Sequence, residues 1–378
     1  MIDVPAAGGF QSLGQATARR IALRSAERGE LGRTLLVHGP SGAGKDSFVD
    51  DLLALVLCAD ADVLRRPCNA CRGCRDARSR SHPDLVSGSP ETWRDARSTG
   101  ESIVSAARRW LLGAAGSPVV ADRRVVLIEG ADRANEQTQN ALLKVLEEPT
   151  DRHTFILVAD EPRRILPTIR SRCRPLRIGP VARAELVAHL MDRMRLPADQ
   201  AEALATLSGG LVGTAIGFVE EKGERLDWRR RVQTELLALL ERGRADRFGS
   251  VRDLLDGASA RGPAAAPALE ARDGETDGQR TPASAQREAA VLIVEAWTAI
   301  TRDLLVASVG RADLAPSREL VGELERLAAR IGPGPLVEMI AVLERVHEAL
   351  RENAAPRLAL ESAMLGWPMI AEPPPASR

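Results

Sequence analysis

The sequence predicts an α/β domain built on a parallel sheet, followed by an all-helical half. Three observations carry this reading. A strand, a glycine-rich turn and a helix follow one another between Thr34 and Leu57. Two further short apolar runs, Val125–Ile128 (VVLI) and Phe155–Val158 (FILV), alternate with helical segments. After Pro180 the strand signals stop while helical patterning continues. Alternating strands and helices imply a parallel sheet with helices on its faces. With 378 residues the chain has room for two or three such domains.

Taken in order, residues 10–30 read as a helix with apolar spacing at Leu13, Ala16, Ile21 and Ala22. Thr34 to His38 (TLLVH) is a short buried-type strand, Gly39 to Gly44 a glycine-rich turn, and Ser47 to Leu57 a helix. A cysteine cluster, Cys58 to Cys74, interrupts the pattern. Val125–Ile128 is the second strand, flanked by charge. Asn135 to Leu146 is an amphipathic helix stopped at Glu147-Glu148-Pro149, since proline disfavours helix at the residue before it. Phe155–Val158 is the third strand. Residues 181–221 read as short helices around a Gly209-Gly210 break, and residues 224–255 and 288–352 as longer helices. Gly257 to Ser284 is rich in Ala, Gly, Pro and charge with almost nothing to bury, and is expected to be a disordered insert.

Composition narrows the function. Lys+Arg and Asp+Glu are both 52, so the formal net charge is zero. That disfavours a protein that grips nucleic acid unaided, because such binding draws on a basic surface. The N-terminal MIDVPAAGGF has neither a basic nor an apolar leader region, and no apolar run approaches a membrane span. The expectation is a cytoplasmic protein with no membrane partner, where clustered thiols point to metal before disulfide. Arginine replaces lysine almost everywhere: the lysines are Lys45, Lys144 and Lys222. A lysine that survives such a bias marks a place that needs a compact ammonium, and Lys45 falls where a phosphate loop requires one.

The segment Gly39-Pro40-Ser41-Gly42-Ala43-Gly44-Lys45 would wrap a phosphate in backbone N–H groups at a helix N-terminus, with Lys45 on the terminal oxygens. The context of strand before and helix after is the one this motif requires. Asp46 stands where a Ser or Thr hydroxyl normally holds Mg²⁺, and it adds negative charge near a triphosphate. Ser47 lies one helical step on, about 100° around the helix. ATP or ADP binding is therefore expected to be weak or absent. The second strand ends at Glu129-Gly130. Glu129 is a candidate for Mg²⁺ or a solvated strand-end carboxylate, and Gly130 offers no carboxylate to orient a water. Cys58, Cys68, Cys71 and Cys74, spaced C-x9-C-x2-C-x2-C, suit a closed tetrahedral thiolate site and hence structural Zn²⁺. A redox CxxC is the alternative. The arginines around the cluster, Arg65, Arg66, Arg72, Arg75, Arg78 and Arg80, form either a DNA- or partner-facing patch or a solvated charged surface.

These pieces together resemble the clamp-loader branch of AAA+ proteins, from the bacterial DNA polymerase III holoenzyme. The matching segments are FQSLGQ (10–15), the phosphate loop, the cysteine cluster with His82-Pro83-Asp84 after it, NALLKVLEEP (140–149), Ser171-Arg172-Cys173 and Asn353-x2-Pro356-Arg357-Leu358-x2-Glu361. The cysteine spacing is one residue longer than the family pattern. The resemblance implies an AAA+ domain over 1–179 with a zinc module at 58–74, and a small helical lid over 180–223. A helical collar over 224–372 would carry the 257–284 insert, and 373–378 would be a disordered tail.

Family motor subunits carry Ser/Thr after the loop lysine, an Asp-Glu pair after the second strand, Thr after the third strand and a basic residue in the lid. Here those positions read Asp46, Glu129-Gly130, Ala159-Asp160 and Thr214. The resemblance therefore implies a non-hydrolysing stator, whose Arg172 acts in trans as an arginine finger in a neighbour's ATP site. Its implied partners are the gamma/tau motor and delta subunits of a hetero-pentamer and, through the complex, the sliding clamp and primer-template DNA. Two alternatives stay open: an ATP-hydrolysing motor subunit with unusual residues, and a zinc-containing DNA-binding module with a vestigial nucleotide fold.

Overall fold

A computed structural model describes residues 9–30, 34–98, 100–114, 116–147, 152–220, 224–261, 282–351, 354–368 and 370. The chain divides into two units, residues 1–216 and 217–378. The first is built on five parallel strands: β1 (Leu35–His38), β2 (Leu85–Gly88), β3 (Arg124–Ile128), β4 (His153–Ala159) and β5 (Arg174–Arg177), in the order β2-β3-β4-β1-β5. Residues of the central strands alternate between two apolar layers. Leu35, Val37, Val125, Leu127, Ile156 and Val158 face one, and Leu36, Val126, Ile128, Phe155 and Leu157 face the other. Burial on both faces explains why β1, β3 and β4 read as continuous apolar runs. The edge strands β2 (LVSG) and β5 (RPLR) lack that signature, and the sequence patterning does not mark them.

The helices of this unit are α1 (Ala16–Glu27), α2 (Lys45–Leu57), α3 (Arg72–Arg78), α4 (Pro90–Asp95), α5 (Ile103–Ala114), α6 (Glu136–Glu147) and α7 (Pro167–Arg170), then α8 (Arg183–Met194), α9 (Ala198–Leu207) and α10 (Val212–Glu220). The expected helix over 10–30 begins only at Ala16, because Gly14 and Gln15 both adopt left-handed backbone with φ of 65° and 61°. Helix α2 buries residues around nearly its whole circumference. It is covered by the sheet on one side and by residues 9–12 and α3 on the other, which is the pattern of a helix with no solvent stripe. Its fully buried Asp51 takes hydrogen bonds from the backbone N–H of Gln11 and Ser12 and from Arg78 Nη2, each at 2.8 Å. One carboxylate thus joins three separate pieces of chain.

The second unit contains α11 (Glu224–Leu240), α12 (Arg244–Arg261), α13 (Pro282–Ser308), α14 (Val321–Ile331), α15 (Pro333–Arg351) and α16 (Pro356–Leu365). Its core is organised on α13, whose Trp297 meets Trp367 edge-on at 4.8 Å between ring centroids. Arg247, fully buried, donates to the carbonyls of Leu239, Leu240, Arg242 and Pro368, capping the end of α11 and pinning the segment after α16. The helix expected over 224–255 therefore breaks at Glu241–Gly243. The expected disorder of 257–284 is corrected at both ends: α12 runs on to Arg261 and α13 starts at Pro282, in alanine-rich sequence that favours helix. Residues 262–281 and the tail 371–378 lie outside the described residues.

Candidate functional site

The phosphate loop follows the C-terminal end of β1, between neighbours β4 and β5, where ligands of open parallel sheets bind. Gly42 and Gly44 adopt positive φ of 76° and 88°. A Cβ at Gly42 would also lie 2.2 Å from Thr214 Oγ1. The lid reaches this loop directly, since Gly213 N–H donates to the Gly42 carbonyl at 2.7 Å from the first turn of α10.

Lys45 is buried at the start of α2. Its ammonium lies 2.6 Å from Asp160 Oδ1 and donates to the carbonyls of Gly39 and Pro40, each at 3.0 Å. Asp46 and Ser47 are exposed on the first turn. Glu129, one residue beyond β3, accepts from Arg80 Nη1 at 2.7 Å, and Arg80 Nε donates to Asp50 at 3.0 Å. Burial opposes the charge on Arg80, and Glu129 and Asp50 outweigh it, so the guanidinium is held more basic than usual. Gly39, Gly42, Gly44 and Lys45 lie together in the turn between β1 and α2, and Glu129 is drawn into an ion pair of its own. The sequence places Arg80 in either a DNA- or partner-facing patch or a solvated charged surface. Its pairing with Glu129 spans 49 residues and leaves no local signal.

Two buried polar residues shape the neighbouring turns. Asp132 Oδ2 accepts the backbone N–H of Asp160 and of Glu161, at 3.1 and 2.8 Å. Gln139 on α6 donates to the carbonyls of Ala134 and Arg164 and accepts from Leu166 N–H, tying α6 to the segment that precedes α7. Neither residue was singled out by the sequence. Ser171-Arg172-Cys173 follows α7, with Ile169 and Cys173 buried beneath it. Burial pushes the Cys173 thiol up to about 12, which suits packing and not nucleophilic chemistry. Arg172 is exposed, and its Nη1 donates to the Thr168 carbonyl at 2.9 Å.

The sulfur atoms of Cys58, Cys68, Cys71 and Cys74 all lie within 4.8 Å of one another. The pairs Cys68–Cys74 and Cys58–Cys71 are 4.0 Å apart. A tetrahedral zinc with bonds of about 2.3 Å sets its sulfurs about 3.8 Å apart, so the donor set fits that ion. Backbone N–H groups of Cys68, Cys71 and Cys74 point at the sulfurs of Cys58, Cys68 and Cys71. The N–H groups of Cys71 and Ala70 hold the Cys68 thiol down, at about 6, whereas burial raises Cys58 and Cys74. Each surrounding arginine has a partner within the first unit, although Arg65 and Arg72 stay 72% and 87% exposed. Arg65 faces Asp60, Arg66 donates to the Asp60 carbonyl, Arg72 to Asp76, Arg75 to the Ala70 carbonyl, and Arg78 to Asp51 and Asn69.

Sheet order, the glycine-rich loop after β1 and helix α10 against that loop define a P-loop type of α/β domain. The family model described as "DNA polymerase III, delta subunit" matches residues 14–182. The chain is 33% identical over 193 residues to DNA polymerase III subunit delta' of Pseudomonas aeruginosa, covering 50% of this chain and 56% of that one. It is 31% identical over 206 residues to the delta' subunit of Escherichia coli K12, covering 53% and 58%. A gamma/tau subunit from Mycobacterium tuberculosis H37Rv is 28% identical over 347 residues, covering 89% of this chain and 56% of that one. Among solved structures, a DNA polymerase III gamma subunit-related protein from Thermotoga maritima covers 92% of this chain and 97% of its own, at 16% identity and a TM-score of 0.38. The chain spans less than two thirds of the length of these curated relatives. Over its sheet-bearing unit the chain is delta'-like.

Proposed function

We propose that this chain is the non-hydrolysing stator subunit of a DNA polymerase III clamp loader, and that it supplies Arg172 to the ATP site of a neighbouring motor subunit. The observation that carries this reading is an asymmetry. The groups that would cleave a triphosphate here are withdrawn, Lys45 onto Asp160 and Glu129 onto Arg80, while Arg172 stands exposed on a short, buried-anchored turn. Gly130 has no carboxylate to activate water, and Asp46 replaces the Mg²⁺-binding hydroxyl. In trans, a guanidinium neutralises charge on the transferring phosphoryl group, an effect of about 10³–10⁵ in rate in other arginine-finger systems. Gln139 and the buried Ile169 and Cys173 hold the segment from which Arg172 projects.

The partners under this proposal are gamma/tau motor and delta subunits in a hetero-pentamer, with the sliding clamp and primed DNA engaged through the complex. Cys58, Cys68, Cys71 and Cys74 would hold Zn²⁺, which supplies cross-linking of the module and no open position for chemistry. Among the described residues no helix is long and apolar enough to cross a membrane. The test is reconstitution with motor and delta subunits. Arg172→Ala should leave assembly intact and lower the ATPase rate of the complex by about 10²-fold or more. An unchanged rate would show that Arg172 has another role.

The gamma/tau likeness over most of the chain motivates a second reading, a motor subunit with altered residues. Steady ATP turnover by the isolated chain, abolished by Lys45→Ala, would establish it and sink the stator. A stand-alone DNA-binding module is disfavoured by zero net charge and by the engagement of Arg78 and Arg80 with Asp51 and Asp50.

A further inference from the structure

We infer that Asp160 is the residue that keeps nucleotide off this phosphate loop, its carboxylate serving as a built-in anion on Lys45. The inference deepens the stator reading and rests on it. An ammonium has three N–H donors. Here three acceptors surround Lys45 Nζ: Asp160 Oδ1 at 2.6 Å and the Gly39 and Pro40 carbonyls at 3.0 Å. A phosphate oxygen can reach that nitrogen only by displacing one of them. The carbonyls belong to the loop itself, so the carboxylate is the group that must leave. An incoming phosphate would also face that negative charge at close range, and like charges in a partly dry pocket repel strongly.

The carboxylate is aimed by its surroundings. Asp132, buried, grips the backbone N–H of both Asp160 and Glu161, which fixes the turn that follows β4. The ion pair is itself mostly shielded from water, with Lys45 9% and Asp160 31% exposed. The lid adds a second restraint, since Gly213 N–H is bonded to the Gly42 carbonyl and Thr214 Oγ1 sits against Gly42. Exchange of phosphate for carboxylate would therefore have to occur inside a preset and covered pocket. Ala159-Asp160 follows the third predicted strand, where the resemblance implies a threonine in motor subunits.

The test is equilibrium titration of the full isolated chain with a fluorescent mant-ADP, with and without Mg²⁺. It compares the wild type, Asp160→Ala, Asp160→Asn and the double variant Asp160→Ala with Lys45→Ala. Asp160→Ala should bind at least about tenfold more tightly than wild type. Asp160→Asn, which keeps the shape and loses the charge, should fall between them. The double variant should return to the wild-type level, because the gain runs through Lys45. Metal content and the thermal transition report whether each variant is folded, and the near-isosteric Asn variant carries the test where the Ala variant does not fold. Wild-type affinity equal to that of the variants would overturn the inference, since the Lys45–Asp160 pair would then be only the resting position of an empty loop. So would a folded Asn or Ala variant that gains nothing. This assay involves no turnover and no partner, so its failure is separate from failure of the stator reading, which is decided by Arg172→Ala in the assembled complex.

Discussion

Replacing Asp51 by alanine should destabilise the first unit far more than a single buried contact would suggest. The carboxylate is fully buried and holds Gln11 N–H, Ser12 N–H and Arg78 Nη2 at 2.8 Å. Its removal strands a mostly buried guanidinium and two backbone donors. Breaking a buried ion pair from one side costs about 3–5 kcal/mol, because the remaining charge loses its partner. For a unit of this size each kcal/mol lowers Tm by about 2–4 °C, so the expected fall is about 6–20 °C. Calorimetry of the full chain should show one transition moving and the other, from residues 217–378, staying in place. Arg78→Met alone should also destabilise, but the double variant should lose less than the sum of the singles by about 1 kcal/mol or more, since neither charge is then orphaned. A fall of less than about 2 °C for Asp51→Ala, or strict additivity in the double variant, would show that the three pieces are held by packing and not by this carboxylate.

Other outcomes follow from the same structure. Asp84 is fully buried, and although burial works against its charge, the N–H groups of Val119, Val120 and Ala121 hold its carboxyl below the ordinary value of 3.8. A depressed carboxyl stabilises the fold above its unfolded pKa and loses that contribution as pH falls. Stability should therefore drop below about pH 4 in the wild type and much less steeply in Asp84→Asn, as read by denaturant midpoints across pH. Purified protein should contain about one equivalent of zinc by metal analysis, and Cys71→Ser should lose it together with thermal stability of the first unit. Arg247→Met takes a donor from four carbonyls, of which Leu239 keeps a second one from Arg242 N–H, and should speed proteolysis after Gly366 while sparing the transition of residues 1–216.

What the sequence made legible depended on whether the signal was local. β1, β3 and β4 are central strands, so their residues had to be apolar on both faces. β5, with Pro175 and two arginines, buries only Leu176, and its edge position is set by tertiary pairing. The cysteines were legible because four ligands must sit at short, regular spacing to converge. The loop residues from Gly39 to Lys45 were legible for the same reason. The partners that decide the site's chemistry were not, since Arg80 meets Glu129 and Asp160 meets Lys45 only after the sheet is assembled. The ends of the 257–284 segment are helical despite their low apolar content, because alanine favours helix without a core to bury.

Arg80 makes the withdrawal of Glu129 hard to undo. It grips Asp50 with one edge of its guanidinium and Glu129 with the other. Removing it to free Glu129 would also take a partner from Asp50 on α2, and restoring a hydroxyl at Asp46 or an acid at Gly130 would leave both ion pairs standing. Under the proposed stator reading, a single substitution at Arg80, Asp46 or Gly130 would not by itself restore turnover. The two ion pairs, Lys45–Asp160 and Arg80–Glu129, are separate locks on one pocket, and opening one leaves the other closed.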